Sequence, residues 1–396
     1  MKQRFFYISN AFEESVKRLR AISGDSPAAS GKVIRLCNAV RTQGGKATII
    51  SLGRCRQRGS WKLYPATIRR IERVPVIYAA YYDAPLLTHF VSTCSLLFIL
   101  LEITRRDSVL IFYNFLSYYV PSLILHRLTG HRCLMDLEDG CRSDETSLKG
   151  RINHFMLRIH NAFCDGGVML ASSALMEQTP LRPAMVCYGV APVVQSNKDW
   201  RTAPLQVLFG GALFKDTGVE LFLESLNLLI TRRPDIVSKI RLVVTGFGDM
   251  SENIREAAHT HFKGFVEFRG TVSSKEYIEL LHESHVGLCL KMPDMSMGAT
   301  TFPSKVVEMT AFGLLVVSTK VSDVPSLFTE ETGVLLNKAC PEYLAQALLD
   351  IADFPEKHRN IALQGQRELT SVLSSQRVGA ELLAFWKGTN SDTGMK

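Results

Sequence analysis

The stretch that decides the fold is LQVLFGGALFKDTGVELFLESLNLL, residues 205–229. It begins with an apolar run of the length of a buried strand and continues through a loop that contains two glycines. It ends in a segment whose apolar residues follow helical spacing. The same succession recurs after the strand-like segments IRLVVTGFGD, FVEFRGTVS, SHVGLCLKMP and LLVVSTKVS. Strands that each lead through a loop into a helix predict a parallel sheet with helices on its faces.

The chain before this stretch alternates in the same way. The strand-like segments RFFYISN, KATIISLG, PVIYAAYY, SVLIFYN and HRCLMDLEDG are separated by segments with helical spacing. Residues 191–204, APVVQSNKDWRTAP, interrupt the pattern with two prolines and polar residues, so they form the best candidate linker. We therefore predict the α/β class with two Rossmann-like, doubly wound domains, residues 1–195 and 196–388. Packing of the last helix against the N-terminal domain is left open.

Charge and cysteine usage narrow the function. The 46 basic and 38 acidic residues give a net charge of +8. Residues 1–200 hold 26 basic and 15 acidic residues, a net +11, which leaves 20 and 23, a net −3, for the rest. A basic N-terminal half points to an anionic partner, either a membrane surface, a phosphorylated substrate or nucleic acid. The nine cysteines form no CxxC pair and no Cys/His cluster, which argues against a disulfide framework and a zinc site.

One apolar stretch, FVSTCSLLFILLEI at residues 90–103, resembles a membrane span but is short. A spanning helix needs about 20 residues, so we expect a buried helix of the first domain. The alternative is a helix that dips into one face of a membrane. The first residues of the chain show no signal-peptide pattern, which predicts a cytoplasmic protein with a possible peripheral position on the inner face of the membrane.

Two loops that follow predicted strands carry candidate binding residues, because ligands of open α/β sheets bind at the carboxyl ends of strands. Gly210 and Gly211 would let a phosphate approach the backbone, and Lys215 could neutralise it. Gly246 follows the next strand, in VVTGFGD. An ordinary strand-to-helix turn would explain either loop as well.

The loop before LLVVSTKVS is the most informative one. The hydroxyl groups of Thr300 and Thr301 precede a proline that suits the first turn of a helix, so free N–H groups gather there and at Ser304. Lys305 and Glu308 are three residues apart and share one helix face. An anion at the helix start would meet the lysine, and the glutamate could accept hydrogen bonds from a sugar diol. The alternative is a surface ion pair.

Four stretches, read in order, resemble the donor-binding domain of GT-B glycosyltransferases. They are the GGAL…G loop of 207–218, VVTGFGD, FRGTVSSKEYIELLHESHVGLCL and FPSKVVEMTAFGLLVVST. The similarity covers about residues 200–340 and is strongest to family 4 (group 1) enzymes of bacterial surface polysaccharide synthesis. It implies a nucleotide-diphosphate sugar donor and two Rossmann-like domains that face a central cleft.

The same resemblance assigns residues. Glu308 matches the second glutamate of the E-x7-E motif, which is associated with the donor ribose, and Thr300 stands in the place of the first glutamate. Ala212 and Thr217 stand where relatives place an Arg and a Lys at the diphosphate. Lys215 and Lys305 are the available substitutes for these two cations.

The segment LMDLEDG, residues 134–140, ends a strand where many relatives place an active-site histidine. On this resemblance Glu138 or Asp139 would face the cleft and orient the acceptor hydroxyl, or act as general base if the enzyme inverts. A plain turn after the strand is the alternative.

The sequence thus predicts a glycosyltransferase that moves a sugar from a nucleotide-diphosphate sugar to a hydroxyl of a lipid-linked glycan, with retention and without a metal or other cofactor. The expected partners are the nucleotide sugar, the glycan acceptor and an anionic membrane surface. No nucleic-acid-binding module is recognisable. The alternative is a catalytically inactive GT-B-like binding protein. The candidate catalytic residues are Glu138, Asp139 and Lys305, and the candidate donor-binding residues are Gly210, Gly211, Lys215, Gly246, Thr300, Thr301, Ser304, Lys305 and Glu308.

Overall fold

The computed structural model divides the chain into two compact units. The N-terminal unit comprises residues 1–190 and 375–396, and the C-terminal unit comprises residues 191–374. The predicted boundary was 195/196, and the predicted C-terminal domain extended to residue 388. The structure describes residues 3–22, 27–54, 60–84, 87–141, 147–295, 298 and 300–389.

The N-terminal unit is built on an eight-stranded sheet. Its strands, with a separate short pair, are β1 (Arg4–Ser9), β2 (Lys46–Ser51), β3 (Leu63–Tyr64), β4 (Thr67–Ile71), β5 (Val74–Tyr78), β6 (Tyr81–Tyr82), β7 (Val109–Tyr113), β8 (Arg132–Leu137), β9 (Val168–Leu170) and β10 (Ala184–Val186). The sheet order is β10-β9-β8-β7-β1-β2-β5-β4, and only the edge strand β4 runs antiparallel to its neighbour. Strands β3 and β6 pair with each other. The sequence did not predict β3 or β4, which are short or lack apolar alternation. It predicted one strand over residues 75–82, where the structure has β5 and β6.

Five helices of this unit precede the linker. They are α1 (Glu14–Leu19), α2 (Pro27–Thr42), α3 (Leu87–Ile103), α4 (Val120–Leu128) and α5 (Leu148–Phe163). The last three bury Leu96, Leu123 and Leu157 in one hydrophobic cluster with β7 and β8. The expectation that residues 90–103 form a buried helix is wrong for one face of α3, where Phe90 and Phe98 are 66% and 68% exposed. Hydropathy alone did not separate the two faces, because both are apolar.

The C-terminal unit has a six-stranded, fully parallel sheet of order β13-β12-β11-β14-β15-β16. Its strands are β11 (Leu205–Ala212), β12 (Ile240–Phe247), β13 (Val266–Phe268), β14 (Val286–Cys289), β15 (Leu315–Thr319) and β16 (Val334–Leu336). The strand order reverses between β11 and β14, and ligands of such sheets bind at the carboxyl ends of the strands beside that point.

Helices connect these strands in sequence. They are α6 (Val219–Arg232), α7 (Ile236–Lys239), α8 (Ser251–His259), α9 (Ser274–Glu283), α10 (Lys305–Ala311), α11 (Val324–Leu327), α12 (Pro341–Asp353) and α13 (Pro355–Val372). The core between sheet and helices includes Phe209, Phe222 and Leu242, which are 4% exposed or less. The predicted α/β class with doubly wound parallel sheets is confirmed.

The last helix, α14 (Ser375–Lys387), belongs to the N-terminal unit and packs against α2. Trp386 of this helix is completely buried, and its ring lies 5.5 Å from that of Phe5 and 6.0 Å from that of Tyr7. The helix therefore completes the core beside β1. Of the helices in the described part of the chain, none combines the length and apolarity needed to cross a bilayer.

Candidate functional site

The carboxyl ends of β11 and β12 come unusually close to each other. Gly211 and Gly246 are partners in the register of this parallel pair. A Cβ atom on Gly246 would overlap the carbonyl oxygen of Gly211, and its backbone has φ of 140°. The N–H of Gly246 donates to the carbonyl of Gly270 at 2.8 Å. The backbone approach alone therefore requires glycine at 246, which explains this residue without a ligand.

The glycine pair of β11 makes room for a half-buried lysine. The ammonium group of Lys305, at the start of α10, donates a hydrogen bond to the carbonyl oxygen of Gly210. A Cβ on Gly211 would overlap Nζ of that lysine, and Gly211 has φ of 117°. Burial lowers the pKa of Lys305, while Cys289 and Glu308 raise it. A cation thus lies at the carboxyl end of the central strand, hydrogen-bonded to a backbone carbonyl.

Two further side chains surround this lysine. Glu308 lies almost one turn later on α10, and Tyr277 reaches in from α9, so close to Gly210 that a Cβ there would be 3.3 Å from the tyrosine ring. Burial raises the pKa of the Tyr277 phenol, and the nearby Glu308 carboxylate raises it further. The arrangement puts one cation, one carboxylate and one phenol around the end of β11.

The hydroxyl-bearing loop leads into α10. The helix begins at Lys305, two residues later than the proline at 303 predicted. Ser304 is its N-cap residue but makes no side-chain cap hydrogen bond. Thr300 is half-buried. The Oγ1 atom of Thr301 is buried and has no hydrogen-bond partner among the residues that the structure describes. A buried hydroxyl without a partner is costly, so Thr301 is suited to form a hydrogen bond with a ligand.

The second candidate lysine does not join this group. The side chain of Lys215 is 62% exposed, and its Nζ lies 3.3 Å from a carboxylate oxygen of Glu220. Thr217 closes the loop instead, since its hydroxyl donates to the carbonyl of Ala212 at 2.8 Å and accepts from the N–H of Phe214 at 3.0 Å. Of the two candidate lysines, Lys305 therefore contacts the glycine pair, whereas Lys215 pairs with Glu220.

A substitution at Gly211 tests two requirements for glycine at this position: room for the Lys305 ammonium and a positive φ. Because the overlapping atom is the flexible end of Lys305, we expect Gly211→Ala to push the ammonium away from Gly210 rather than to unfold the unit. Backbone strain at positive φ adds about 1–2 kcal/mol. Gly264→Ala is the control, since Gly264 has φ of 80° and open space around it. Thermal unfolding with and without a nucleoside diphosphate measures both effects. Equal responses of the two variants to nucleotide would contradict this assignment.

A second group of charged side chains lies at the carboxyl end of β8, in the N-terminal unit. Glu138 forms an ion pair with Lys32 of α2, whose Nζ also donates to the carbonyl of Cys187 at 3.0 Å. The two charged side chains are only 16% and 8% exposed. Burial raises the pKa of Glu138 to about 7, against the opposing effect of Lys32 and with the help of Asp136.

Beneath this pair, Asp136 is fully buried and accepts a hydrogen bond from the phenol of Tyr7. Burial raises the pKa of Asp136, and Lys32 lowers it. Burial would lower the pKa of Lys32, but the two carboxylates, Glu138 first, raise it above its usual value. One lysine therefore compensates two carboxyl groups, the half-buried Glu138 and the fully buried Asp136.

Asp139 has a different environment from its neighbour. Its side chain is exposed, and the carboxylate accepts from the amide Nδ2 of Asn114 at 3.1 Å. The Oδ1 atom of Asn114 accepts from the backbone N–H groups of Glu138 and Asp139, at 2.8 and 3.1 Å. Asn114, at φ of 58°, thus fixes the turn that follows β8. Within the described ranges, no group of three or more His, Cys, Asp or Glu side chains is arranged to hold a metal ion.

The part of the chain that matches a known family lies within the C-terminal unit, which contains Lys305. Residues 204–353 match the family model of glycosyl transferases group 1. This part of the chain is therefore similar to a group 1 glycosyl transferase domain. The match runs from β11 through α12 and includes the glycine pair, Lys305 and Glu308. The prediction of a group 1 glycosyltransferase enzyme is confirmed at this level. No curated protein matches the sequence.

Solved structures that resemble the whole chain are GT-B enzymes. TarM is 9% identical with a TM-score of 0.68, covering 98% of this chain and 99% of its own. Sucrose-phosphate synthase from Thermosynechococcus elongatus is 14% identical with a TM-score of 0.69, covering 97% and 98%. HepE from Anabaena, solved in complex with UDP, is 13% identical with a TM-score of 0.65, covering 96% and 98%. At such identities the similarity establishes the GT-B fold, as predicted.

Within the C-terminal unit, the structure brings Gly210, Gly211, Lys305 and Glu308 together, with the hydroxyl loop leading directly into their helix. Sequence reasoning missed Tyr277, for which we find no signal. It also missed Lys32 in the other unit, for which a signal existed. Lys32 falls on the apolar face of α2, four and eight residues before the buried Leu36 and Val40. A lysine on a buried helix face needs a partner.

Proposed function

We propose that the protein transfers a sugar from a nucleotide-diphosphate sugar to a hydroxyl group of a glycan acceptor. The observation that carries this proposal is the half-buried Lys305, whose ammonium lies beside Gly210 and Gly211 at the carboxyl end of the central parallel strand. Negative charge develops on the diphosphate as the bond to the sugar breaks. A cation already held in a desolvated place stabilises that charge without reorganisation. The group 1 match of this region supports the same assignment.

Glu308 is proposed to bind the hydroxyl groups of the donor ribose. Its position almost one turn beyond Lys305 lets one ligand contact both side chains through neighbouring groups, the phosphate with the lysine and the diol with the carboxylate. Thr301, whose Oγ1 is buried without a partner among the described residues, is proposed to bind the transferred sugar or a phosphate oxygen.

The finer features of the reaction remain part of the proposal. Lys305 supplies positive charge where the diphosphate would leave, so we propose a reaction that needs no divalent metal. We propose retention of the anomeric configuration and a lipid-linked glycan acceptor at the cytoplasmic face of a membrane, as the family resemblance implies. Glu138, with a pKa of about 7, is proposed to orient the acceptor hydroxyl, because a group titrating near neutral pH exchanges protons readily.

The test combines nucleotide binding with product analysis. We expect at least one of millimolar UDP, GDP or ADP to raise the unfolding temperature, and the matching nucleotide sugar to be turned over with EDTA present. Proton NMR of the product then gives the anomeric configuration. Absence of stabilisation by every nucleotide and nucleotide sugar would reject the donor site. Stabilisation without turnover would favour the alternative of a non-catalytic binding protein. That alternative is suggested by Thr217, which stands where relatives have a lysine and whose hydroxyl donates to the carbonyl of Ala212 within the loop.

A further inference from the structure

The outer faces of three neighbouring helices in the N-terminal unit are apolar. Helix α4 contacts both α3 and α5, and all three bury their inner faces in the same hydrophobic cluster. Their outer faces therefore point away from one side of the sheet. Eight large apolar side chains on these faces have exposed fractions of 46–75%, namely Leu87, Phe90, Phe98, Leu101, Leu128, Leu148, Ile152 and Phe155. Scattered exposed apolar residues are ordinary, but a grouping on adjacent helices marks an interaction surface.

Helix α5 shows how this surface is built. At 100° per residue, Leu148, Ile152 and Phe155 fall on one stripe of the helix, opposite the buried Leu157. Lys149 lies on one side of the stripe, and Arg151 and Arg158 lie on the other, all with exposed side chains. An apolar stripe flanked on both sides by cations is the arrangement of helices that lie in a bilayer interface.

The charge of the three helices is one-sided. Their sequences contain a single acidic residue, Glu102 at the end of α3, against Arg127, Lys149, Arg151 and Arg158. Arg105 and Arg106 follow α3 and are exposed. Arg127 pairs with Asp165 at 3.2 Å, and the exposed Asp107 follows Arg106. A second copy of the chain seated on this face by a two-fold axis would bring Lys149, Arg151 and Arg158 of both copies near one another, which is unfavourable. An anionic surface complements them.

We propose that the outer face of α3, α4 and α5 is a docking surface for an anionic lipid bilayer. The aromatic and aliphatic side chains enter the boundary between headgroups and acyl chains, while the flanking cations contact lipid phosphates. The inference does not depend on the glycosyl transfer proposed above, since it rests only on the exposed face and its charge.

The experiment is co-sedimentation of the full chain with two kinds of vesicle. One kind is phosphatidylcholine alone, and the other contains about one third phosphatidylglycerol. We expect binding to the anionic vesicles at low salt and weaker binding at high salt. The variant Phe90→Ser/Phe98→Ser/Phe155→Ser removes the apolar contact, and Lys149→Glu/Arg151→Glu/Arg158→Glu reverses the charge. Because each nearby cation contributes to attraction by the lipid, the charge variant should lose about a hundredfold in partition coefficient.

Matched controls come from the C-terminal unit. Val237→Ser/Phe247→Ser/Phe354→Ser removes three apolar side chains that are 46–58% exposed, and Lys263→Glu/Lys338→Glu/Lys357→Glu reverses three exposed cations. Both should bind vesicles as the unaltered protein does, and thermal unfolding checks that all variants fold. The proposal is overturned if the unaltered protein fails to sediment with anionic vesicles, or if the controls lose as much binding. A dimer in ultracentrifugation that the Phe90 variant abolishes would also overturn it, in favour of a second copy as occupant.

Discussion

Replacement of Lys305 by methionine is expected to lower kcat/KM for sugar transfer at least tenfold, which corresponds to about 1.4 kcal/mol of transition-state stabilisation. The substitution keeps most of the apolar length of the side chain but removes the ammonium that the Gly210 carbonyl holds at the end of β11. It should also reduce the rise in unfolding temperature that a nucleoside diphosphate produces. Steady-state kinetics and thermal unfolding with nucleotide measure the two effects.

Three companion variants sharpen this result. Lys275→Met, at a lysine of α9 that is 88% exposed, is the control and should leave both readouts unchanged. Lys215→Met decides between the two lysines of the sequence prediction, and we expect a smaller effect from it than from Lys305→Met. Glu308→Gln should lower turnover at least tenfold as well. Unaltered kinetics in both the Lys305 and the Glu308 variants would remove these residues from the site.

Replacement of Lys32 by methionine should destabilise the N-terminal unit by about 3 kcal/mol at pH 8, because it leaves two largely buried carboxyl groups without their cation. The loss should be smaller at pH 5. In the folded protein the pKa of Glu138 is about 7, above its value of 4.5 in the unfolded chain. The folded state therefore holds the proton longer, and this group's contribution to stability falls as pH rises from about 4.5 to 7.

Lys32 is the side chain that lowers the pKa of both carboxyl groups. Without it both pKa values rise, so the free energy of unfolding of Lys32→Met continues to fall at higher pH than that of the unaltered protein. Chemical denaturation between pH 5 and pH 8 gives the free energy of unfolding for each variant. The double variant Lys32→Met/Glu138→Gln should recover part of the loss at pH 8, because one uncompensated charge is gone. A loss for Lys32→Met that does not change with pH would show that the lysine contributes packing alone.

Most strands of both sheets could be predicted from the sequence because they are runs of apolar residues closed by a turn, as in 205–212 and 240–247. The site was only partly predictable. The convergence of Lys305 on Gly210 depends on contacts between residues 95 positions apart, which no local pattern encodes. Proximity in sequence favoured Lys215, yet that side chain pairs with Glu220 on the adjoining helix.

Helix α3 shows a second limit of sequence reasoning. Large apolar residues lie on both faces of the helix, and the hydroxyl residues Thr88 and Ser92 fall on the buried face, so periodicity could not tell which face the core takes. The packing of β7 and α4 decides it, and Phe90 and Phe98 are left outside. The short strands β3 and β4 are stabilised by pairing rather than by an apolar pattern, which is why they left no local signal.

The assignment of α14 to the first unit makes the C-terminal unit an insertion within the N-terminal unit's sequence. The ribosome delivers Phe5 and Tyr7 long before Trp386, against which they pack. A nascent chain can therefore close the inserted unit, which is continuous from 191 to 374, before the unit that surrounds it in sequence has its full core. Synthesis interrupted before Ser375 would leave the aromatic face of β1 uncovered while the inserted unit is complete.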